Sequence, residues 1–321
     1  MRFAAIKLLR AALTLWLVIT FVFVVLRISG DPASILLPDD VADEVREFYR
    51  AKWGLDKTLW QQYLAYWQAL SSGDFGMSLR SGLPAWEVVI DRAPKTLLLG
   101  VCGLAMALFI GVPLGIIAAH HRDSVIDRGV MSFAVFGFSM PNFFLGIILI
   151  LVFSLNLRWL PSSGSGTWLH LIMPAFTLGT AFAAQIARFT RSAMIDVSSR
   201  AYMRTAASKG AGPLRQVLRH AVPNAAAPVV TIIGLKVGEL IGGAVVVETV
   251  FAWPGLGRLL TGAVASRDLP VVQAILILLA ATMILSNLIV DLLYGWLDPR
   301  VRDARATGAR DRAGLGRKVR A

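Results

Sequence analysis

Six apolar runs, each close to the length that crosses a bilayer, occupy residues 11–28, 96–119, 129–155, 170–188, 227–247 and 271–293. A hydrocarbon core takes about 20 apolar residues per helix. Lipid offers the backbone no water, so each run must close its hydrogen bonds internally as a helix. The expected fold class is therefore an all-α polytopic membrane protein with six transmembrane helices. The long polar stretch 29–95 forms an extracytoplasmic insertion between spans 1 and 2. Hydrophobic residues make up 56% of the chain and charged ones 16%, which is too apolar for an ordinary soluble domain.

Charge sets the expected orientation. With both termini inside, the inner segments 1–10, 119–130, 188–220 and 298–321 hold 20 Lys/Arg against 6 acids. The outer segments 27–95, 156–169 and 248–269 hold 11 against 12. An excess of cations on one side follows the positive-inside rule. The net charge of +12 thus reads as topology and lipid contact rather than nucleic-acid binding. The basic tail 304–321 is a cytoplasmic extension of this kind. The single cysteine, Cys102, sits in an apolar run and excludes an intrachain disulfide.

Along the chain, 1–28 carries a basic start and a run longer than a signal peptide needs, so it is read as a retained first span. In the insertion, Asp39-Asp40 are placed to cap a helix over 41–52, and Asp56 to cap another. The Gly/Ser-rich stretch 71–82 reads as a turn-rich connector, either a docking surface or a cap packed on the bundle. His120-His121 point in different directions on a helix and make a poor metal pair. Ser139-Met140-Pro141-Asn142 interrupts the third run. Pro141 and Asn142 mark either a simple kink or an unwound segment lining a solute path. Lys236 and Glu239 lie at i, i+3 in the fifth run, where they can pair, face a pore or snorkel. Asp291, near the inner end of the sixth, can reach interfacial water.

The interval 201–228, AYMRTAASKGAGPLRQVLRHAVPNAAAP, is polar and basic between two spans. Tyr202, Met203, Ala206 and Ala207 give a first short helix an apolar face. Leu214, Val217, Leu218 and Ala221 do so for a second. Gly210-Ala211-Gly212-Pro213 separates them, since Gly tolerates positive φ and Pro cannot continue a helix. On residues alone this is either a docking helix–turn–helix or a solvated basic loop.

The order Arg204-Thr205-Ala206, Gly210, His220-Ala221, Asn224 and Pro228 resembles the "EAA" loop of ABC importer permeases, in the version of the dipeptide/oligopeptide/nickel family. The words GDFGMSLRSG, WEVVIDRAPKTL, GFSMPNFFLG, LRWLPSSG and GGAVVVETVFAWPGLGRLL are similar to that family too. Arg204 stands where the general motif has Glu. Pro223 stands where the peptide branch more often has a basic residue, which bears on where the second short helix ends.

The resemblance, over about residues 1–303, implies a type I permease fold with a five-span core, 96–303, and a cytoplasmic coupling loop, 200–226. It implies half of a pore for peptides or a related solute, completed by a second homologous permease. Two cytoplasmic ATPase subunits and an extracytoplasmic substrate-binding protein complete the assembly, in a bacterial inner membrane. It places the ATPase contact on Arg204, Thr205, Ala206, Gly210, His220 and Asn224. An outer gate or receptor contact falls on Trp253, Pro254, Gly255 and Gly257. No GxxxxGK[ST], HExxH, CxxC or GxSxG motif is present, so no catalytic residue, cofactor or metal is assigned and ATP belongs to the partners. Two other classes stay open. One is a proton-coupled secondary transporter using Lys236, Glu239 and Asp291. The other is a membrane scaffold without transport.

Overall fold

The computed structural model describes residues 2–28, 41–52 and 56–297. Among the described residues no strand forms, and extended pairing is limited to a bridge between Met77 and Pro84. Helices α1 (Arg2–Ile28), α2 (Asp43–Lys52), α3 (Leu59–Ser71) and α4 (Ala85–His120) come first. Then follow α5 (Val125–Ser139), α6 (Asn142–Leu149) with a π-helical extension Ile150–Asn156, and α7 (Leu169–Ser198). The short α8 (Ala201–Ser208) and α9 (Pro213–Arg215) lead through a π-helical stretch, Gln216–Ala221, into α10 (Val222–Val250). Helices α11 (Leu256–Ala265) and α12 (Leu269–Leu297) close the described chain.

Four described stretches are long and apolar enough to cross a membrane: Ile6–Val25, Ala85–His120, Leu169–Ser198 and Leu269–Leu288. Val125–Gly137 and Asn142–Asn156 add a fifth if they count as one broken span. The 29 residues of α10 reach about 43 Å at 1.5 Å per residue, long enough for a sixth. Six spans are compatible with this set.

One detail of the insertion differs from expectation. The cap of α3 is Thr58, not Asp56: Gln61 N–H donates to Thr58 Oγ1 (3.4 Å) and Thr58 N–H donates to Gln61 Oε1 (3.2 Å). This is a capping box, and a capping side chain must sit one residue before the first helical one to reach that amide. The Asp39-Asp40 cap lies outside the described residues, as does the basic tail 304–321. The proline interruption is a true break, since α5 ends at Ser139 and α6 restarts at Asn142 behind Pro141.

The residues pack into two compact units, and α4, α7, α10 and α12 contribute to both. The first takes Met1–Ala105, Met140–Gly179 and Glu239–Ile284. Its core joins Ala85 and Val89 of α4 to Leu256 and Ala263 of α11 and to Val271, Ala274 and Ile275 of α12. Asp268, buried between α11 and α12, fastens the connector 71–82. Its carboxylate accepts from Ser78 Oγ at 2.6 Å and from the Leu79 and Arg80 amides at 3.2 and 3.4 Å.

The second unit takes Met106–Ser139, Thr180–Gly238 and Leu285–Ala321. Here α4 and α7 touch backbone to backbone. A methyl on Gly111 would stand 2.6 Å from the Ala183 carbonyl oxygen, and one on Gly115 2.5 Å from that of Ala187. Small residues four apart are how membrane helices approach this closely. An ion pair locks α5 to α7: Arg191 donates from Nε and Nη2 to the two Asp127 oxygens, both at 2.6 Å. The Asp123 amide donates to the same carboxylate at 2.9 Å.

Candidate functional site

The interval after α7 is built as one closed turn followed by a continuous helix. Helix α8 ends with Gly210 N–H on the Ala207 carbonyl (2.9 Å) and Ala211 N–H on the Ala206 carbonyl (3.1 Å). That pair of bonds is a Schellman closure. It requires a left-handed residue, supplied by Gly210 at φ +82°. No atom lies within 4 Å of where a Gly210 Cβ would stand, so its conformation alone demands glycine. Gln216 Nε2 ties the turn by donating to the Ala211 carbonyl at 2.6 Å.

No second break follows. Pro223 has no N–H to bond the Arg219 carbonyl in α-helical register. Helix hydrogen bonding widens instead to the π pattern, with Val222 N–H on the Val217 carbonyl. The second short helix therefore runs into α10 with no loop between, where the sequence separated it from a span starting at 227.

One side of this segment is buried and the other is not. Met203, Ala221, Ala225 and Val229 pack with Ala193, Met194 and Val197 of α7. Of the expected apolar stripe, Ala206 and Val217 are half-buried, while Tyr202, Ala207, Leu214 and Leu218 are exposed. Leu214 is 71% exposed and Leu218 57%. With Gly212, Pro213, Arg215 and Arg219 they line an open cleft of about 500 Å³. The structure brings the expected contact residues to this one segment. Arg204, Thr205, Gly210 and Asn224 are exposed and Ala206 and His220 half-buried. Asn224 Nδ2 donates to the His220 carbonyl at 2.6 Å.

In the first unit, Trp253, Gly255 and Gly257 are buried and Pro254 is half-buried. They wrap a carboxylate that sequence reasoning passed over. Glu248 is fully buried. Its Oε1 accepts from Thr96 Oγ1 at 2.6 Å. Its Oε2 accepts from the Gly257 and Arg258 amides at 2.7 and 3.2 Å. The Thr96 hydroxyl in turn accepts from Leu256 N–H at 2.7 Å, and Trp253 Nε1 donates to the Lys95 carbonyl at 3.0 Å. A side chain on Gly255 would overlap the Glu248 carboxylate. The only signal for this in the sequence is an acid at the end of an apolar run, nine residues before the second glycine of a Gly-x-Gly turn. Beside it opens a cleft of about 670 Å³ that carries Arg80, Arg92 and Arg258.

Pro141 is exposed and Asn142 half-buried at the start of α6. Lys236 and Glu239 fall on α10 and Asp291 on α12; their side chains lie outside the described residues. The rings of His120 and His121 meet edge-to-face at 5.0 Å. Among the described residues no three His, Cys, Asp or Glu are grouped to hold a metal.

Residues 111–303, more than half of the chain, match the family of binding-protein-dependent transport system inner membrane components. The chain belongs to this family. It is a permease subunit of an ATP-driven ABC importer, a multi-pass inner-membrane protein that transports rather than catalyses. The permease is 44% identical over 290 residues to the glutathione transport system permease protein GsiC of Escherichia coli, covering 90% of this chain and 95% of that one. The protein of the same name from Shigella dysenteriae matches to the same extent. Among solved structures it resembles the MetNI methionine ABC transporter in inward-facing conformations. The TM-score is 0.58 at 19% identity, over 66% of this chain and 96% of that one. An amino acid ABC transporter crystallised with histidines gives a TM-score of 0.51 at 13% identity, over 65% and 93%. These two share the permease fold. Importers of this family work with ATPase and substrate-binding partners.

Proposed function

We propose that this permease subunit forms half of a pore for a small peptide of the glutathione class, opened by a cytoplasmic ATPase seated on the 200–226 loop. The observation that carries the seat is the half-buried loop itself. One face packs into α7, while Leu214 and Leu218 stand exposed beside Arg215 and Arg219. Exposed apolar side chains ringed by cations suit a partner with an apolar socket and an acidic rim. Arg204, Thr205, Ala206, Gly210, His220 and Asn224 complete that contact. A second, homologous permease supplies the other half of the pore, and two ATPase subunits hydrolyse the ATP. Both termini are cytoplasmic, in line with the excess of cations on that side.

The receptor contact on the opposite side shifts from what the turn sequence implies. Trp253, Gly255 and Gly257 are packed around Glu248 and hold the outer turn in shape, so they act as a gate support. Pro254 and the cleft with Arg80, Arg92 and Arg258 meet acidic groups of the substrate-binding protein. Pro141 and Asn142, with Lys236 and Glu239, line the solute path. The names of the 44%-identical relatives support a peptide-class solute over nickel.

The test is a detergent pull-down paired with uptake of labelled glutathione, a dipeptide and nickel. Wild type brings down an ATPase and a second permease and accumulates glutathione. Leu214→Asp with Leu218→Asp keeps the second permease but loses the ATPase and uptake. Retention of the ATPase by that double variant would refute the seat. Nickel uptake alone would refute the substrate class.

A further inference from the structure

Helix α3 has an exposed arc that changes character along its width. At about 100° per residue, Trp60 and Leu64 lie on one side of that arc and Gln68 and Gln61 on the other, with their centres roughly 70° apart. Trp60 is 65% exposed and Leu64 50%. The helix holds no charged residue, so it offers no ionic patch to a protein partner.

Its inner face is pinned to α1. The Tyr63 and Thr20 hydroxyls share a hydrogen bond of 2.8 Å. The Phe23 ring lies 5.3 Å from those of both Tyr63 and Tyr66. Thr20 and Phe23 belong to the apolar window Ile6–Val25 of α1. At 1.5 Å per residue they lie about 7.5 and 3 Å inside the end of that window, and its 20 residues match a hydrocarbon core of about 30 Å. A helix fastened at that level stands at the boundary between acyl chains and headgroups, where Trp and Tyr collect because one end of each ring is apolar and the other polar.

We propose that α3 lies along the membrane surface at the C-terminal end of α1, with Trp60 and Leu64 in lipid and Gln61 and Gln68 in water. Helix α3 is then a membrane-bound element of the insertion, placed by the bilayer as well as by α1.

Nitroxide labels at Trp60→Cys, Leu64→Cys, Gln61→Cys and Gln68→Cys, each with Cys102→Ala, test this. The full chain is used with its co-purifying subunits, in phosphatidylethanolamine–phosphatidylglycerol liposomes. Oxygen concentrates among acyl chains and a nickel chelate in water. The oxygen-to-nickel collision ratio at 60 and 64 exceeds that at 61 and 68 by about threefold or more. Equal, water-like ratios at all four positions overturn the proposal. So does shielding of 60 and 64 from both reagents, which means that a protein covers the flank. A second measurement needs no label. Brominated lipid quenches the emission of the nine tryptophans less in Trp60→Phe than in wild type, and equal quenching overturns the proposal.

Discussion

Among the described residues, four helix ends close by the same pair of backbone bonds, and they differ in the residue that turns the corner. Gly73 and Gly210 do so at φ +77° and +82°. After α10, Trp253 N–H reaches the Glu248 carbonyl at 2.8 Å, with Ala252 at φ +48° at the corner. After α11, Asp268 N–H reaches the Ala263 carbonyl at 2.8 Å, with Arg267 at φ +54°. A left-handed Cβ costs about 1–2 kcal/mol. Ala252→Gly should therefore raise stability by about 1 kcal/mol, seen as a higher midpoint in thermal unfolding of the purified protein. Tyr66 holds a different residue-scale cost. Its hydroxyl is buried without a partner among the described residues, and burial, with Tyr63 nearby, pushes the phenol well above the ordinary tyrosine range. The unfolded chain releases that proton near pH 10 while the folded one retains it, so stability falls as pH climbs past about 10. Tyr66→Phe removes its share of that fall and leaves neutral-pH stability unchanged or higher by up to about 1 kcal/mol. A pH series of unfolding midpoints reads both effects.

At the scale of elements, close packing decides. Gly115 faces the Ala187 carbonyl and Thr190 in α7. Gly115→Ala must push backbone, which does not yield, so α4 and α7 separate at a cost on the order of 2 kcal/mol. Gly129, with open space around it, accepts the same change, and comparing the two by detergent thermostability isolates the packing term. Elements were also what the sequence showed best. Span length and apolarity are local properties, and so is the Gly210–Pro213 break, where φ and the missing N–H act within one turn. What stayed hidden was non-local. Thr96 and Glu248 lie 152 residues apart, Ser78 and Asp268 190, and Asp127 and Arg191 64. No periodicity in one segment names a partner in another, so Glu248 read as the start of a loop and Asp268 as an ordinary outer acid. The exposed half of that loop's apolar stripe was hidden for the same reason. Apolar spacing shows that Leu214 and Ala221 share a helix side, not that only Ala221 finds α7.

For the whole molecule, the proposed seat of the ATPase matters through how it is joined to a span. The π-helical stretch Gln216–Ala221 closes each hydrogen bond over one residue more than an α-helix does. It is a spare residue, stored between the part that meets a partner and the part that crosses the membrane. Deleting Leu218 lets this stretch tighten to α-helix and leaves Ala225 and Val229 in their core. Five residues at about 100° each turn nearly as far as the six of the wider stretch, so the segment that carries Leu214 keeps its phase. Such a variant should fold and co-purify with its second permease, with the yield of the pair against wild type as the readout. The permease thus separates two numbers that a plain helix would bind together: the count of residues between handle and span, which can change by one, and the phase between them, which stays.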